Sequence, residues 1–290
     1  MTYFVTGGTG FIGRFLVSAL LKRKGQIHVL VRKGSQKKFD ETAAKMGWDR
    51  KRVLPVIGDL AKPKLGLTAA QLKALTGKVK HVFHLAAIYD LTADAESQRI
   101  ANVDGTKHAM ELAGAVKATC FHHTSSIAAA GLYPGMFRED MFEEAEGLDD
   151  PYFRTKHESE GLVRKSCPVP YRIYRPGVVI GHSQTGEIDK IDGPYYLFTL
   201  IKKIRQTLPQ WMPTLGIEGG KINLVPVDFV VAAMDHIAHK RGLDNKCFHL
   251  VDPEPLRIGE VMNIFARAAH APEMSMRIDA RMFAVVPGYI

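Results

Sequence analysis

The start of the chain carries the pattern that most restricts its fold: a short apolar segment runs directly into a turn with glycines at every third position. Residues 3–5 are apolar, Gly7, Gly10 and Gly13 follow at once, and residues 11–21 show apolar side chains at helical spacing. A strand, a glycine turn and a helix in this order bring backbone N–H groups to a helix amino terminus, where a pyrophosphate binds. Although the spacing is G-x-x-G-x-x-G rather than G-x-G-x-x-G, its context predicts a dinucleotide-binding α/β fold.

Further apolar segments have the length of buried strands and alternate with helical stretches. They cover residues 27–31, 53–57, 81–85, 120–124 and 171–174. This alternation predicts a doubly wound parallel Rossmann sheet with a smaller carboxyl-terminal substrate-binding lobe. We expect residues 1–182 to form the NADPH-binding domain and residues 223–250 to return to it. Residues 183–222 and 251–290 then form the substrate-binding lobe, which we expect this sequence to contain only in part.

The end of the second predicted strand indicates which dinucleotide binds. Arg32 stands where an acidic residue would bond a ribose 2′-hydroxyl, and an arginine there suits a 2′-phosphate instead. Its guanidinium can hold the phosphate through two hydrogen bonds, with Lys33, Ser35 or Lys37 as helpers. A solvated basic loop is the alternative, and it accounts for most of the neighbouring lysines. The sequence therefore predicts NADPH as the cofactor.

Other candidate cofactor-binding residues follow the predicted strands. Asp59 closes the third strand, where its carboxylate can accept an adenine amino hydrogen, and Ala86 follows the fourth, where a small side chain lets the backbone approach a nucleotide. The complete predicted set is Gly7, Thr9, Gly10, Phe11, Ile12, Gly13, Arg32, Asp59, Leu60, Ala86, Asn102, Lys156 and Pro176.

Three side chains form the candidate catalytic group. Tyr152 and Lys156 are four residues apart on a predicted helix, so they project from one face, one turn apart. A phenol with a pKa of about 10 exchanges protons poorly at neutral pH, and we expect the ammonium to bias it toward phenolate. Ser126 follows a buried strand and faces the crevice where open α/β sheets bind ligands. We expect Ser126 to donate a hydrogen bond to a substrate oxygen, Tyr152 to deliver a proton to it, and Lys156 to polarise Tyr152 and hold a cofactor ribose, which suits hydride transfer at a carbonyl.

Composition narrows the classes of partner. The chain has 290 residues, is 46% hydrophobic and carries a formal charge of +9, which would attract NADPH, coenzyme A esters or acidic lipid surfaces. We expect no nucleic-acid partner, because helix-turn-helix, zinc-finger and RNP patterns are missing from the sequence. The 3 cysteines lack C-x-x-C spacing, and the histidines at 81, 84, 122 and 123 flank buried strands, so we favour packing and hydrogen bonding over a metal site. Without a signal peptide or a run of about 18 apolar residues, we expect a cytoplasmic protein.

Residues 195–208 have the pattern of an amphipathic helix. Leu197, Leu200, Ile201, Ile204 and Leu208 recur at helical spacing, with basic side chains on the other faces. One interpretation is a lid over an apolar substrate that rests on a membrane surface. The other is a helix whose apolar stripe packs on the body of the protein.

Together these segments resemble the extended short-chain dehydrogenase/reductases over nearly the whole chain. The matching segments, in the order of that family, are the glycine turn and residues 58–60, 84–87, 102–106, 124–126, 152–156 and 175–177. Within this group, residues 181–196 resemble the amino-terminal reductase domain of bacterial, alcohol-forming, two-domain fatty acyl-CoA reductases.

The resemblance implies NADPH-dependent reduction of long-chain acyl groups, with this domain reducing fatty aldehyde to alcohol and a second, covalently linked reductase domain acting on the acyl-CoA thioester. It assigns catalytic roles to Ser126, Tyr152 and Lys156, a water near Lys156 to Asn102, and nicotinamide packing to Pro176. Relatives of this type continue beyond residue 290, so we expect the sequence to be a fragment.

Other functions remain open on the sequence alone. A nucleotide-sugar epimerase or dehydratase shares the fold and the Tyr/Lys pair, although the apolar segment around residues 197–213 offers a sugar diphosphate little beyond its basic side chains. A hydroxysteroid or flavonol-type reductase shares the apolar pocket. A dinucleotide-sensing protein without turnover is the alternative from a different class.

Overall fold

The computed structural model describes residues 1–87, 94–188 and 193–279, and its centre is a parallel seven-stranded sheet. The strands are β1 (Thr2–Thr6), β2 (Gln26–Val31), β3 (Val53–Ile57), β4 (Val79–His84), β5 (Cys120–Thr124), β6 (Tyr171–Pro176), β7 (Val178–Ile180), β8 (Thr214–Glu218), β9 (Leu224–Pro226), β10 (Lys246–Leu250) and β11 (Met274–Asp279). The helices are α1 (Phe11–Leu21), α2 (Gln36–Lys45), α3 (Ala69–Leu75), α4 (Ala95–Arg99), α5 (Gly105–Ala115), α6 (Pro151–Ser166), α7 (Leu197–Thr207), α8 (Val227–His239) and α9 (Ile258–Ala268).

The order of the strands confirms the predicted doubly wound sheet. It is β10-β6-β5-β4-β1-β2-β3, and each neighbouring pair is parallel. The chain begins at β1, adds β2 and β3 on one side, and then crosses back to place β4 on the other side of β1. Between β1 and β4 the winding therefore reverses, and ligands bind at such a point in open α/β sheets.

Helices cover both faces of the sheet, so its strands are buried on both sides. Because strand side chains alternate, Tyr3 packs with α1 and α8 on one face, whereas Phe4 packs on the other, where α3, α5 and α6 lie. Both aromatic side chains are fully buried. Packing of helices on both faces holds the strands in place, and the carboxyl edge of these strands carries the candidate site.

The remaining elements pair beside the main sheet. β7 pairs with β9 and β8 pairs with β11, both in parallel. α7 packs on α9: Ile201 is buried against Ala266 and Ala271, and Leu197 packs at the edge of this cluster. Leu200, however, is 47% exposed, so only part of the predicted stripe faces the body of the protein. The assignment of these elements to a separate substrate-binding lobe stays a prediction.

Candidate active site

The glycine turn between β1 and α1 is packed too tightly for side chains. Gly7 has a φ of +70°, and a Cβ on it would lie 2.7 Å from the backbone nitrogen of Ala86, just after β4. A Cβ on Gly13 would lie 2.1 Å from the Gly7 carbonyl oxygen. The start of α1 therefore sits directly on the turn, beside the switch point. Gly10 caps the helix without a side-chain hydrogen bond, which leaves the first-turn N–H groups, those of Phe11, Ile12 and Gly13 together with the adjacent Thr9, for an anionic ligand.

The other predicted cofactor-binding residues lie at the same edge of the sheet. Arg32 directly follows β2 and is exposed, and its carbonyl oxygen accepts a hydrogen bond from Ser35 N at 2.9 Å. Asp59 follows β3, and its Oδ1 accepts a hydrogen bond from Ala61 N at 3.0 Å. The carbonyl oxygen of Leu60 bonds His108 Nδ1 at 2.7 Å. Pro176 ends β6 and is buried. The edge thus brings together groups that could hold an adenosine phosphate near Arg32 and a nicotinamide near Pro176.

Ser126 and Tyr152 bring two hydroxyl groups to the same edge of the sheet. Ser126 comes two residues after β5, and its Oγ accepts a hydrogen bond from Ala128 N at 3.1 Å. Asp150 caps α6 by accepting from Tyr152 N at 2.7 Å, which fixes the tyrosine in the first turn. The Ser126 hydroxyl is near enough to the Tyr152 phenol to act on its pKa. Both hydroxyls therefore lie at the carboxyl edge of β5.

Lys156 lies one turn beyond Tyr152 and is 5% exposed. Its Nζ donates a hydrogen bond to the carbonyl oxygen of Thr124 at 3.3 Å. Burial lowers the pKa of Lys156 from 10.5 to about 8, although the charge of Glu160 acts against this shift. The lysine remains a cation at neutral pH, and its ammonium is held under the strand end.

The expected acidification of the phenol is wrong in direction. Burial raises the pKa of Tyr152 above its ordinary value, and the nearby Ser126 hydroxyl only opposes that effect. The physical reason is desolvation, which disfavours a phenolate in the cleft. Tyr152 is therefore held protonated and is ready to donate.

A buried ion pair stabilises α6 beside the candidate catalytic residues. Glu160, one turn after Lys156, accepts hydrogen bonds from Arg175 at 2.6 and 3.0 Å and from Ser125 Oγ at 2.7 Å. Burial opposes ionisation of Glu160, but these bonds and the Arg175 charge keep its pKa below the usual range. Arg175 also donates to the carbonyl oxygen of Met141 at 2.9 Å. The pair thus ties α6, the end of β5 and the loop between them into one unit.

Asn102 is buried beside the catalytic helix in a π-helical turn, residues 100–104. Its Nδ2 donates to Thr155 Oγ1 at 3.2 Å, and Thr155 Oγ1 donates to the carbonyl oxygen of Tyr152 at 3.2 Å. These bonds place Asn102 against α6 at the residue before Lys156. The predicted water stays a prediction.

Sequence reasoning missed several residues that organise the site. Thr155 and Glu160 lie in α6 beside the catalytic pair, and Glu187 bonds both Arg14 of α1 at 3.2 Å and Lys45 of α2 at 2.7 Å. Glu160 stands four residues after Lys156 on the same helix, and this spacing was the available signal for it. His81 and His122 bond each other at 2.9 Å, which confirms the hydrogen-bonding role expected for them.

Fold and site together define a Rossmann-type oxidoreductase of the extended short-chain dehydrogenase/reductase kind, which binds a nicotinamide dinucleotide. The chain belongs to the male sterility protein family, whose sequence profile matches residues 5–234.

Three relatives illustrate the range of proteins that this chain resembles. It is 31% identical over 268 residues to a component of the linear gramicidin synthase of Brevibacillus parabrevis, covering 86% of this chain and 5% of that protein. It is 29% identical over 299 residues to the aldehyde reductase lnaA of Aspergillus flavus, covering 94% of this chain and 28% of that protein. It is 27% identical over 278 residues to a Drosophila melanogaster protein named as a fatty acyl-CoA reductase, covering 79% of this chain and 50% of that protein. The chain thus spans half or less of the length of each of these relatives.

A solved structure gives a similar result. The terminal R domain from the myxalamid PKS-NRPS biosynthetic pathway superposes with a TM-score of 0.79 at 28% identity, covering 97% of this chain and 73% of that one. The similarity extends over the Rossmann sheet and the smaller elements beside it.

Proposed function

We propose that this domain catalyses NADPH-dependent reduction of a long-chain fatty aldehyde to the alcohol. The observation that carries the proposal is the proximity of the Ser126 hydroxyl to the Tyr152 phenol, with the buried Lys156 cation one helical turn away. The names of an aldehyde reductase and of a fatty acyl-CoA reductase among the relatives support the substrate class. An apolar cavity of about 340 Å³ between α7 and α9, lined by Phe198, Ile201 and Phe265, offers surface for an alkyl chain.

NADPH, when bound, supplies the hydride for the carbonyl carbon. Ser126 and Tyr152 bind the carbonyl oxygen, where negative charge develops in the transition state, and their hydroxyls stabilise that charge. Tyr152 then gives its phenolic proton to the oxygen. The Lys156 ammonium stabilises the phenolate that is left, and Glu160 acts against loss of the lysine proton.

The cofactor preference is tested at the end of β2. Arg32 would clasp a 2′-phosphate, so NADPH should bind more tightly than NADH, and Arg32→Ala should remove the preference. Lys38→Ala, in the exposed first turns of α2, is the matched control and should keep it. Fluorescence titration with both nucleotides measures the effect, and equal affinities in the wild type would refute the assignment.

A second candidate function is reduction of a thioester carried on a partner domain. It is favoured by the similarity to the terminal R domain of a PKS-NRPS pathway and to a component of gramicidin synthase. A linked or partner carrier would then deliver the acyl group to the same Ser126, Tyr152 and Lys156.

The experiment follows NADPH absorbance with purified protein and decanal, a long-chain acyl-CoA, a phosphopantetheine-carrier acyl thioester, a UDP-sugar and a sterol ketone in parallel. We expect turnover of decanal, with Tyr152→Phe reducing kcat at least ~100-fold while NADPH still binds. Tyr196→Phe, at a tyrosine that is 68% exposed, is the matched control. Unchanged turnover in Tyr152→Phe would refute the catalytic role, and turnover of a thioester without decanal would favour the second candidate.

We also propose a cytoplasmic location with peripheral membrane contact. Within the residues that the structure describes, no helix has the length and apolar character needed to cross a bilayer. Trp211, four residues after α7, is 79% exposed, and with the basic side chains of that helix it suits contact with an anionic lipid surface.

A further inference from the structure

A chain of buried hydrogen bonds connects the glycine turn to the catalytic helix. The backbone N–H of Ala86 donates to Thr6 Oγ1 at 3.3 Å, and Thr6 Oγ1 contacts His84 Nδ1 at 2.8 Å. On the other side of the ring, His84 Nε2 contacts Thr106 Oγ1 at 3.1 Å, which contacts the carbonyl oxygen of Asn102 at 2.6 Å. Thr6, His84 and Thr106 are each at most 2% exposed. These bonds cross from β1 to β4 and on to the turn before α5.

The carbonyl acceptor of Asn102 determines which atom donates in each hydrogen bond of this chain. A carbonyl oxygen can only accept, so the single hydroxyl proton of Thr106 goes to Asn102. Thr106 Oγ1 must then accept from His84 Nε2, which places the ring proton on Nε2. Burial lowers the pKa of His84 to about 3, so the ring is neutral and Nδ1 has only a lone pair. Nδ1 therefore accepts from Thr6, whose oxygen accepts in turn from Ala86 N–H.

Asn102 joins this chain to the catalytic tyrosine. Its backbone carbonyl oxygen accepts a hydrogen bond from the Thr106 hydroxyl, and its side-chain amide donates to Thr155 Oγ1. Thr155 donates to the Tyr152 carbonyl oxygen, at the start of α6. Asn102 lies in a π-helical turn, and such turns recur at functional sites.

We propose that Thr6, His84 and Thr106 are positioning residues that hold Tyr152 in register with the cofactor turn through this one-directional chain. The proposal rests on the proposed function, because it concerns the placement of the proton donor of that reaction. None of the three needs to touch substrate. Thr6 directly precedes Gly7, so the chain sets the distance between the turn and the tyrosine backbone across β1 and β4.

A positioning role differs measurably from simple packing. A displacement of about 1 Å between reacting groups can cost about 100-fold in rate, while ground-state binding of NADPH at the glycine turn is affected less. Breaking the chain should therefore lower kcat far more than it raises the Kd for NADPH. A packing defect alone would lower thermal stability without this split.

The first test compares Thr106→Val with Thr106→Ser. Valine keeps the shape of threonine and removes the hydroxyl, whereas serine keeps the hydroxyl and removes a methyl group. We expect Thr106→Val to lower kcat for decanal at least ~10-fold with the NADPH Kd changed less than ~3-fold, and Thr106→Ser to stay within ~3-fold of wild type. Retained kcat in Thr106→Val, or an equal loss in Thr106→Ser, would overturn the proposal.

A double variant tests whether the effects pass through Asn102. Thr155→Val should also lower kcat, and Thr106→Val/Thr155→Val should lose little more than the worse single variant, because residues that act as a unit are not additive. If the kcat of the double variant falls by the product of the two single losses, the two residues do not act through a shared path.

A third measurement needs neither turnover nor a variant that folds well. NMR of ¹⁵N-histidine-labelled wild-type protein with NADPH should show that His84 Nε2 is protonated and Nδ1 is not. This should hold from about pH 6 to pH 8, a range that includes the ordinary histidine pKa of about 6.5. The opposite tautomer, or rapid exchange between the two, would overturn the assigned direction. A correct tautomer in a protein that leaves decanal unreduced would instead count against the proposed function alone.

Discussion

Lys156 should reduce the stability of the folded protein, because its charge is buried where water cannot solvate it. The side chain is 5% exposed, and its pKa is lowered from 10.5 to about 8, mainly by burial. A shift of this size corresponds to about 3 kcal/mol of differential free energy between the folded and unfolded states. Glu160 offsets only part of the cost, since its oxygens already accept bonds from Arg175, Arg164 and Ser125. We therefore predict that Lys156→Met abolishes turnover and raises the free energy of unfolding at pH 7 by about 3 kcal/mol.

The stability difference between wild type and Lys156→Met should depend on pH. Below pH 8 the lysine is protonated in both states, so the full desolvation cost falls on the folded chain. Between pH 8 and 10.5 the unfolded state binds more protons than the folded state, so the stability of the wild type rises with pH. The advantage of Lys156→Met should therefore shrink by about 2 kcal/mol between roughly pH 7 and pH 9.5.

Urea denaturation of wild type and variant at the two pH values measures both quantities. Lys165→Met is the matched control: that lysine lies in the same helix with 71% of its side chain exposed, so its replacement should change stability little at either pH. Equal or lower stability of Lys156→Met at pH 7, or an advantage that does not narrow at high pH, would refute the reasoning.

Three further outcomes follow from the structure. Gly13→Ala should weaken NADPH binding at least ~10-fold, because its Cβ would lie 2.1 Å from a carbonyl oxygen; Gly220→Ala, with open space around it, should bind NADPH normally in the same titration. Burial lowers the pKa of His81 to about 4, so its contribution to stability is complete above pH 6.5 and should fall by about 3 kcal/mol as the pH drops toward 4; urea denaturation should show a flatter pH profile for His81→Phe but not for the exposed His236→Phe. Trp211→Ala should weaken cosedimentation with vesicles of anionic phospholipid, and binding by the wild type that is insensitive to salt would contradict an electrostatic contact.

The fold could be predicted because its signals are local. Apolar runs such as residues 53–57 and 120–124 appear in the structure as β3 and β5 with the same bounds. The glycine turn indicated where β1 ends and α1 begins. Three glycines at that spacing are expected where a strand, a turn and a helix approach one another closely. The pairing of α7 with α9 had no such signal, because an apolar stripe at helical spacing does not indicate which surface it meets.

The candidate catalytic residues could also be found from local patterns, whereas their protonation states could not. Tyr152 and Lys156 could be paired from their spacing, and Ser126 from its place after a strand. Their pKa values depend on how much water the fold removes, and at Tyr152 burial outweighs the opposing effect of the Ser126 hydroxyl. His84 and Thr106 are 22 positions apart, and a bond between side chains so far apart leaves no periodic pattern in a sequence.

The two buried shifts also favour one direction of the proposed reaction. At neutral pH the raised pKa of Tyr152 keeps its proton in place, and the lowered pKa of Lys156, about 8, still leaves that group charged. Tyr152 therefore starts with a proton to give, and Lys156, one helical turn away, is charged at the same pH. An oxidation would have to start from a Tyr152 phenolate, which burial disfavours. Reduction begins from the state that the cleft stabilises, and the charge it creates on the substrate oxygen is what releases the proton.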